Sequence, residues 1–286
     1  MKIGVIPINI DVAGIEDIVG IARHAEAAGC ESVWTAEHVI IPTRLETDYP
    51  YSQSGEMPLG GDMNFFDPLV TLSAVAAATS TLKLGTGINI LPQTNPLLFA
   101  KQAASLDVIS GGRLMLGLGL GWMREEFRAM GTPFEKRGAR FDDYLQALRK
   151  AWSGEEVNHQ SEFLDWRNFR SFPIPVAKSD LPVFIGGHAG KAFLRAARYG
   201  QGWYPAIYSA AELAPNIDRL RAACAEVGRD FNELEITSVW ANTGGLDELR
   251  RLRDLGVSRV TVPLQSLPGS AIDGISWLAD EVIGRL

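Results

Sequence analysis

An α/β fold, and within it a closed (β/α)8 barrel of the TIM type, follows from three features of this chain. Short apolar runs alternate with amphipathic runs from one end to the other. A helix–glycine–strand pattern recurs, in "HAEAAGCESVWTAEH", "AARYGQGWYPA" and "LRDLGVSRVTVPL". The apolar runs number eight in 286 residues, which is the count and spacing of a barrel. Strand and helix in alternation imply a parallel sheet with right-handed crossovers. The rival, an open doubly wound sheet, should show a switch point midway. None is visible, nor is a linker, so residues 1–286 read as one barrel domain.

The elements follow in order. Strand 2–7 opens the chain, and helix 15–28 follows with Ile15, Ile18, Val19, Ala22 and Ala25 on one face. Glu16 and Asp17 start this helix and Arg23 and His24 lie near its end, as the helix dipole favours. That placement accounts for His24 without a site role. Gly29 is positioned to end the helix in left-handed geometry, and Gly200 and Gly256 hold the same place in later units. Strand 32–36 leads into residues 38–66, rich in proline, glycine and aromatics and without a period. A loop of that length in a compact domain is usually functional, often a lid. Helix 67–79, strand 82–88, helix 96–109, strand 114–117 and a long helical pattern over 124–152 complete the first half. Residues 154–181 break the rhythm before the fifth strand and read as a small hairpin, packed down by Trp152 and Trp166 with His159 in a solvated tip. Strands 182–186, 202–205, 234–240 and 258–263 then alternate with helices 190–199, 210–228, 247–255 and 270–285.

Composition narrows the function. The net charge is −7 with both signs interspersed, so there is no basic stripe for nucleic acid. No run reaches the roughly 18 apolar residues of a membrane span. The N-terminus "MKIGVIPINID" turns polar too soon for a signal peptide, so a cytoplasmic location is expected. Cys30 and Cys224 lie in or beside apolar helical patterns and read as buried thiols of a reducing compartment. The histidines at 24, 38, 159 and 188 form neither H-x-H nor H-E-x-x-H, so no metal site is expected.

A barrel carries its site at the C-terminal strand ends. Those positions hold Glu37 and His38 after the second strand, Gly87, Ile88 and Asn89 at the third, and Gly117, Gly119, Gly121 and Trp122 at the fourth. Gly186, Gly187, His188, Ala189 and Gly190 follow the fifth. This rim is glycine-rich and has one acid–histidine pair, but no nucleophile with its own base. In "RLMLGLGLGWMREEF" the alternate glycines strip the backbone of Cβ atoms, which lets a flat ligand approach the main chain. The dinucleotide fingerprint G-x-G-x-x-G fails, because Trp122 and Arg124 stand where its last glycine belongs. "IGGHAGKAFLRAARYG" opens a helix near Gly190; its backbone N–H groups suit a phosphate, and equally a bare strand-to-helix turn. Two ionisable residues at the end of an apolar strand point to chemistry, and histidine titrates near neutrality.

Together these blocks resemble the luciferase-like monooxygenase superfamily, most closely its branch of coenzyme F420-dependent oxidoreductases. The resemblance runs along almost the whole chain. Its most specific piece is "LKLGTGINILPQTNPLLFAKQAASLDVISGGRLMLGLGLGW", residues 82–122, supported by "SVWTAEHV", "IGGHAGKAFLRAARYGQGW" and "LRRLRDLGVSRVTVPL". It implies a luciferase-like barrel holding F420 or, alternatively, FMN. It implies a non-prolyl cis peptide at Gly87–Ile88, with Ile88 backing the ring, and Asn89 and the fourth-strand glycines beside it. Glu37 would hydrogen-bond the cofactor, and His38 would touch substrate or relay a proton. Residues 186–190 would take the phosphate. One departure matters: some sugar-phosphate dehydrogenases of the family carry a carboxylate where this chain has Trp122. Trp122 is therefore read as a wall for an apolar or aromatic substrate, and Glu125 and Glu126 as first-turn helix residues. Lys191, Arg195, Arg44 and Lys101 are candidates for the acidic tail of F420, and Arg137, Arg140 and Tyr144 for rim or ion-pair roles. The implied activity is F420-dependent hydride transfer to or from a small organic substrate. An FMN-dependent monooxygenase is the alternative, and a non-catalytic flavin- or deazaflavin-binding protein the reading from another class. The family's habit implies a homodimer through "DPLVTLSAVAAATS" and "NPLLFAKQAASLDVIS", which packing on the barrel also requires.

Overall fold

Strand pairing in the computed structural model, which describes residues 1–50, 55, 57, 60 and 62–285, closes on itself. In chain order the strands are β1 (Lys2–Ile6), β2 (Ser32–Thr35), β3 (Lys83–Thr86), β4 (Asn89–Ile90), β5 (Leu114–Gly119), β6 (Val157–Gln160), β7 (Asp165–Phe169), β8 (Val183–Gly186), β9 (Gly202–Tyr204), β10 (Glu235–Val239) and β11 (Arg259–Pro263). Around the barrel they run β3-β2-β1-β11-β10-β9-β8-β5, and β5 pairs back onto β3 through Leu84↔Leu114 and Gly85↔Met115. The closed (β/α)8 TIM barrel expected from the sequence is therefore the observed fold. β4 resumes the line of β3 after a break at residues 87–88, pairing Asn89 with Leu118 and Ile90 with Gly119. β6 and β7 form the antiparallel excursion before the fifth barrel strand.

The outer helices are α1 (Ile15–Ala27), α2 (Pro68–Ala78), α3 (Pro96–Ile109), α4 (Arg124–Ala129), α5 (Arg137–Ala151), α6 (Ala192–Tyr199), α7 (Ala210–Val227), α8 (Gly245–Asp254) and α9 (Ala271–Glu281). Asp67 and Asn95 cap α2 and α3, each followed by a proline at the first helical position. The predicted helix over 124–152 is two helices. Gly131 ends the first at φ 67°, and Pro133, without an N–H, cannot continue it. α6 begins at Ala192, two residues beyond the predicted start.

Two further expectations are corrected. Gly29 and Gly256 take the left-handed geometry, at φ 82° and 93°, but Gly200 is extended at φ −85°. Gly200 is needed for space: a Cβ there would lie 2.6 Å from the Gly202 carbonyl oxygen. His159 is not a solvated tip. It is buried on β6, with Nε2 2.8 Å from Asp143 Oδ1 on α5. Trp152 does anchor this region, donating from Nε1 to the Ala100 carbonyl at 3.0 Å, and Trp166 packs partly buried on the core. His24 ends α1 as expected and lies 2.8 Å from Ser276 Oγ. Both cysteines are buried and free. Of the long loop after β2, residues 51–54, 56, 58, 59 and 61 lie outside the described residues. No helix among the described residues is long and apolar enough to cross a membrane.

One apolar layer lies between barrel and helices; a second fills the barrel itself with Trp34, Met115, Phe184, Tyr204 and Val239. Trp34 stands edge-on to Phe184 and Tyr204, at 6.1 and 5.0 Å between centroids. At the N-terminal floor Arg259, 1% exposed, binds both oxygens of Glu31 at 2.8 and 2.7 Å and Glu235 at 3.0 Å. With the floor plugged and the middle filled, the open end is the C-terminal mouth, where Ile6 and Ile88 cap the inner cluster.

Candidate active site

The mouth begins where β2 ends. Asn9, fully buried, accepts from the Ala36 N–H at 3.0 Å and donates to the carbonyls of Ala36 and Phe66 at 2.9 and 2.7 Å. That side chain fixes the direction in which Glu37 and His38 leave the barrel. Glu37 keeps part of its surface open, but its carboxyl is packed round by protein. It accepts from Asn89 Nδ2 at 2.7 Å and from the Ile90 N–H. Burial pushes the carboxyl up to about 7; these two donors oppose the rise, and the charges of Glu126 and Asp67 add to it.

Residues 87–88 form the cis peptide implied by the resemblance, and the Gly87 N–H donates to the Thr35 carbonyl at 2.6 Å. This bulge explains the alternate glycines differently from the expectation. A Cβ on Gly119 would overlap Ile88 Cδ1, and one on Gly186 would lie 2.5 Å from the same atom. A Cβ on Gly117 would overlap the Thr86 carbonyl oxygen, and one on Gly121 would lie 2.6 Å from Ile90 Cγ2. The bare backbone seats the chain's own bulge: the Ile88 side chain stands over Gly119 and Gly186, the Thr86 carbonyl over Gly117, and Ile90 with Phe127 over Gly121.

His38 meets a partner that the sequence did not reveal. Its Nδ1 lies 3.1 Å from Glu126 Oε2, and Glu126 Oε1 accepts from the Val39 N–H at 2.5 Å. Glu126 is 2% exposed. The His38 ring is edge-on to Phe65 and Trp122, with centroids at 5.7 and 6.0 Å, and Tyr49 stacks edge-on to Trp122 at 5.2 Å. Glu125 faces the same loop and accepts from the Thr47 N–H at 2.9 Å, Thr47 Oγ1 at 2.8 Å and the Glu46 N–H. Burial works against its charge, but these donors prevail and hold the carboxyl below the usual range. Both glutamates do sit in the first turn of α4, so dipole placement was right and incomplete. The missed signal was a charged pair directly before Phe127, on the side of a helix that faces inward.

The fifth strand turns at Gly187, φ 91°, and Gly190, φ 55°. Trp203 Nε1 donates to the Gly187 carbonyl at 2.8 Å. His188 Nδ1 is buried without a hydrogen-bond partner. Of the proposed basic residues, Arg195 is not free: it is buried and bound to Asp142 at 2.6 and 3.1 Å. Lys101 donates to the Phe172 carbonyl, while Arg44 and Lys191 are exposed without an ion pair among the described residues. Arg137 Nε donates to the Gly121 carbonyl at 3.1 Å and braces the end of β5; Arg140 donates to the Pro133 carbonyl at 2.7 Å. The four sequence blocks at 37–38, 87–89, 117–122 and 186–190 thus converge on one mouth, through Glu37 on Asn89, His38 against Trp122, and Ile88 against Gly186.

Known proteins resemble this chain in sequence and in fold. An uncharacterized protein of Mycobacterium tuberculosis (strain ATCC 25618 / H37Rv) is 32% identical over 244 residues, 85% of this chain and 83% of the relative. The coenzyme F420-dependent tetrahydromethanopterin reductase from Methanopyrus kandleri superposes with a TM-score of 0.79 at 17% identity, covering 99% of this chain and 98% of that one. The oxygenating constituent of 3,6-diketocamphane monooxygenase from the CAM plasmid of Pseudomonas putida, in complex with FMN, superposes at 0.73 and 14% identity, covering 100% and 99%. At such identities the likeness to these structures is one of fold. The sequence model for luciferase-like monooxygenases, however, matches residues 5–240, most of the barrel, and on that match the chain belongs to the luciferase-like monooxygenase family and is an oxidoreductase-type enzyme.

Proposed function

We propose that the chain is an F420-dependent oxidoreductase that transfers hydride to or from a small organic substrate. The observation that carries this reading is the bulge: Ile88 stands as a flat apolar wall at the mouth, between the buried carboxyl of Glu37 and the turn at 186–190. The residues present fit a tricyclic ring with a phosphate tail. Asn89 Oδ1 and His188 Nδ1 are buried without partners, and buried polar atoms are normally paired. Asn89 and Glu37 would take the polar edge of the ring, Ile88 its face, and His188 with the backbone of 187–190 the phosphate. When bound, F420 supplies hydride chemistry without readily activating oxygen. Glu37, with its carboxyl near neutrality, would hold a proton at Oε1 or Oε2 toward the cofactor edge. His38 would orient substrate or carry its proton, and Trp122 and Phe65 would exclude water around it.

The second reading, an FMN-dependent monooxygenase, is favoured by the same barrel holding FMN in the diketocamphane enzyme. Titration with each cofactor separates them, read by fluorescence quenching and the visible spectrum. Tight F420 binding with weak FMN binding is expected; the reverse would overturn the ranking. We place the enzyme in the cytoplasm, as a single-domain protomer of a homodimer. Support for the dimer comes from α2 and α3, where Val70, Leu98 and Ile109 are 68%, 56% and 65% exposed. Leu98→Glu should convert the dimer to monomer by light scattering; an unchanged mass would reject this interface.

A further inference from the structure

We propose that Glu126 is a positioning residue: its carboxylate fixes the place and the tautomer of the His38 ring, so that Nε2 is the nitrogen His38 presents to the mouth. The inference rests on the reading of His38 as the group that meets substrate, and deepens it.

Glu126 is buried on α4, and its one ion-pair partner among the described residues is His38. A buried carboxylate is strongly unfavourable unless its oxygens are hydrogen-bonded. Both are. Oε1 takes the Val39 N–H and Oε2 faces His38 Nδ1, so one carboxylate grips the backbone and the ring of adjacent residues. An ionised carboxylate only accepts, and therefore Nδ1 carries the hydrogen in the neutral ring and in the charged one. The second nitrogen is left to gain or lose a proton. Nε2 makes no hydrogen bond among the described residues, and the His38 side chain keeps 13% of its surface open. Phe65 and Trp122 meet the ring nearly at right angles, 86° and 83°, and limit its rotation. A histidine with one nitrogen tied to a buried acid and the other free is oriented for proton transfer in one direction.

The neighbouring glutamate makes the idea separable from folding. Glu125 independently holds Glu46 and Thr47, so the loop stays tied to α4 when Glu126 changes. In Glu126→Gln the side-chain carbonyl still accepts from Val39, and the amide now donates to the ring. The hydrogen must then move from Nδ1 to Nε2.

The test is long-range proton–nitrogen NMR of His38 in the full-length chain, assigned by loss of its signals in H38A and followed across a pH titration. In the wild type, Nε2 should be the nitrogen that deprotonates while Nδ1 keeps its hydrogen. E126Q should reverse the two, and E126D, an acceptor again, should restore the first pattern. A wild-type ring bearing its hydrogen on Nε2 overturns the proposal without any variant, as does an unchanged tautomer in folded E126Q. In turnover of reduced F420 against a panel of small ketones, E126Q should lose about 10²–10⁴ in kcat with KM nearly unchanged. If H38A leaves that turnover intact while the NMR pattern holds, the reading of His38 fails and the ring-positioning role of Glu126 stands. If H38A abolishes turnover and E126Q does not, the positioning role fails alone.

Discussion

Replacing Glu37 by glutamine removes a carboxyl that the fold holds protonated well above its ordinary range. Its value rises from 4.5 to about 7, chiefly through burial. At about 1.4 kcal/mol per pH unit, the shift corresponds to about 3 kcal/mol. Below the unfolded value both states are protonated and nothing is lost. Between 4.5 and about 7 the unfolded chain ionises while the folded chain does not, so folding stability falls as pH rises. Above that window the full cost is present. Glutamine keeps one oxygen to accept from the Ile90 N–H, its NH2 can donate to Asn89 if that amide turns its unpartnered Oδ1 inward, and it carries no proton to lose. The stability of E37Q relative to wild type should therefore increase by about 3 kcal/mol from acid to mildly alkaline pH. Urea denaturation of both proteins, without cofactor, at several pH values across that window measures it. A difference that does not vary with pH would show that Glu37 ionises normally, and would remove the argument for a proton held at the mouth.

Other outcomes follow from the same geometry. His38→Ala should lower turnover by about 10²-fold or more with little change in cofactor affinity, measured by steady-state kinetics beside fluorescence titration. Gly119→Ala should destabilise by about 1–3 kcal/mol because its methyl overlaps Ile88 Cδ1; adding Ile88→Val removes that atom and should recover part of the loss. Equal loss in the single and double variants by urea denaturation would mean the two residues do not compete for space. Arg259→Leu should cost about 3 kcal/mol at neutral pH by leaving Glu31 without its ion-pair partner and Glu235 with Lys2 alone at the barrel floor. Burial opposes the charge of both acids, yet Arg259 at Glu31, and Lys2 together with Arg259 at Glu235, hold their values below the ordinary range, so the stabilisation is lost as pH falls through those lowered values. The gap between variant and wild type should accordingly narrow in acid.

The barrel was legible because its signals are local. Buried parallel strands such as Val33–Trp34 and Val260–Val262 read as apolar runs, and α1 shows its inward face every third or fourth residue. What the sequence hides is the reason for a residue that answers two demands. Gly29 and Gly200 look alike, yet one supplies a left-handed turn and the other empties space for Gly202. Gly117 and Gly119 announced a crowded place, but the occupants, the Thr86 carbonyl and the Ile88 side chain, are about 30 residues away in the chain, beyond any local period. His159 and Asp143 are 16 residues apart, and His38 and Glu126 are 88 apart. Each member has an unremarkable account alone, as a tip residue or a first-turn acid. Pairing of this kind is created by the closure of the barrel and has no signature within either segment.

Asn9 has a consequence for how such an enzyme diversifies. By binding Ala36 and Phe66 together, with the Ile10–Phe65 bridge beside it, this amide clamps the two feet of the entire excursion between β2 and α2. A segment whose feet are already joined can change length at small entropic cost, since closure grows only with the logarithm of its size. Apart from Glu37, His38 and the Glu46–Thr47 anchor, the span between those feet is thus an exchangeable cassette. Evolution, or an engineer, can rewrite what enters the pocket there while the staves of the cask stay where they are.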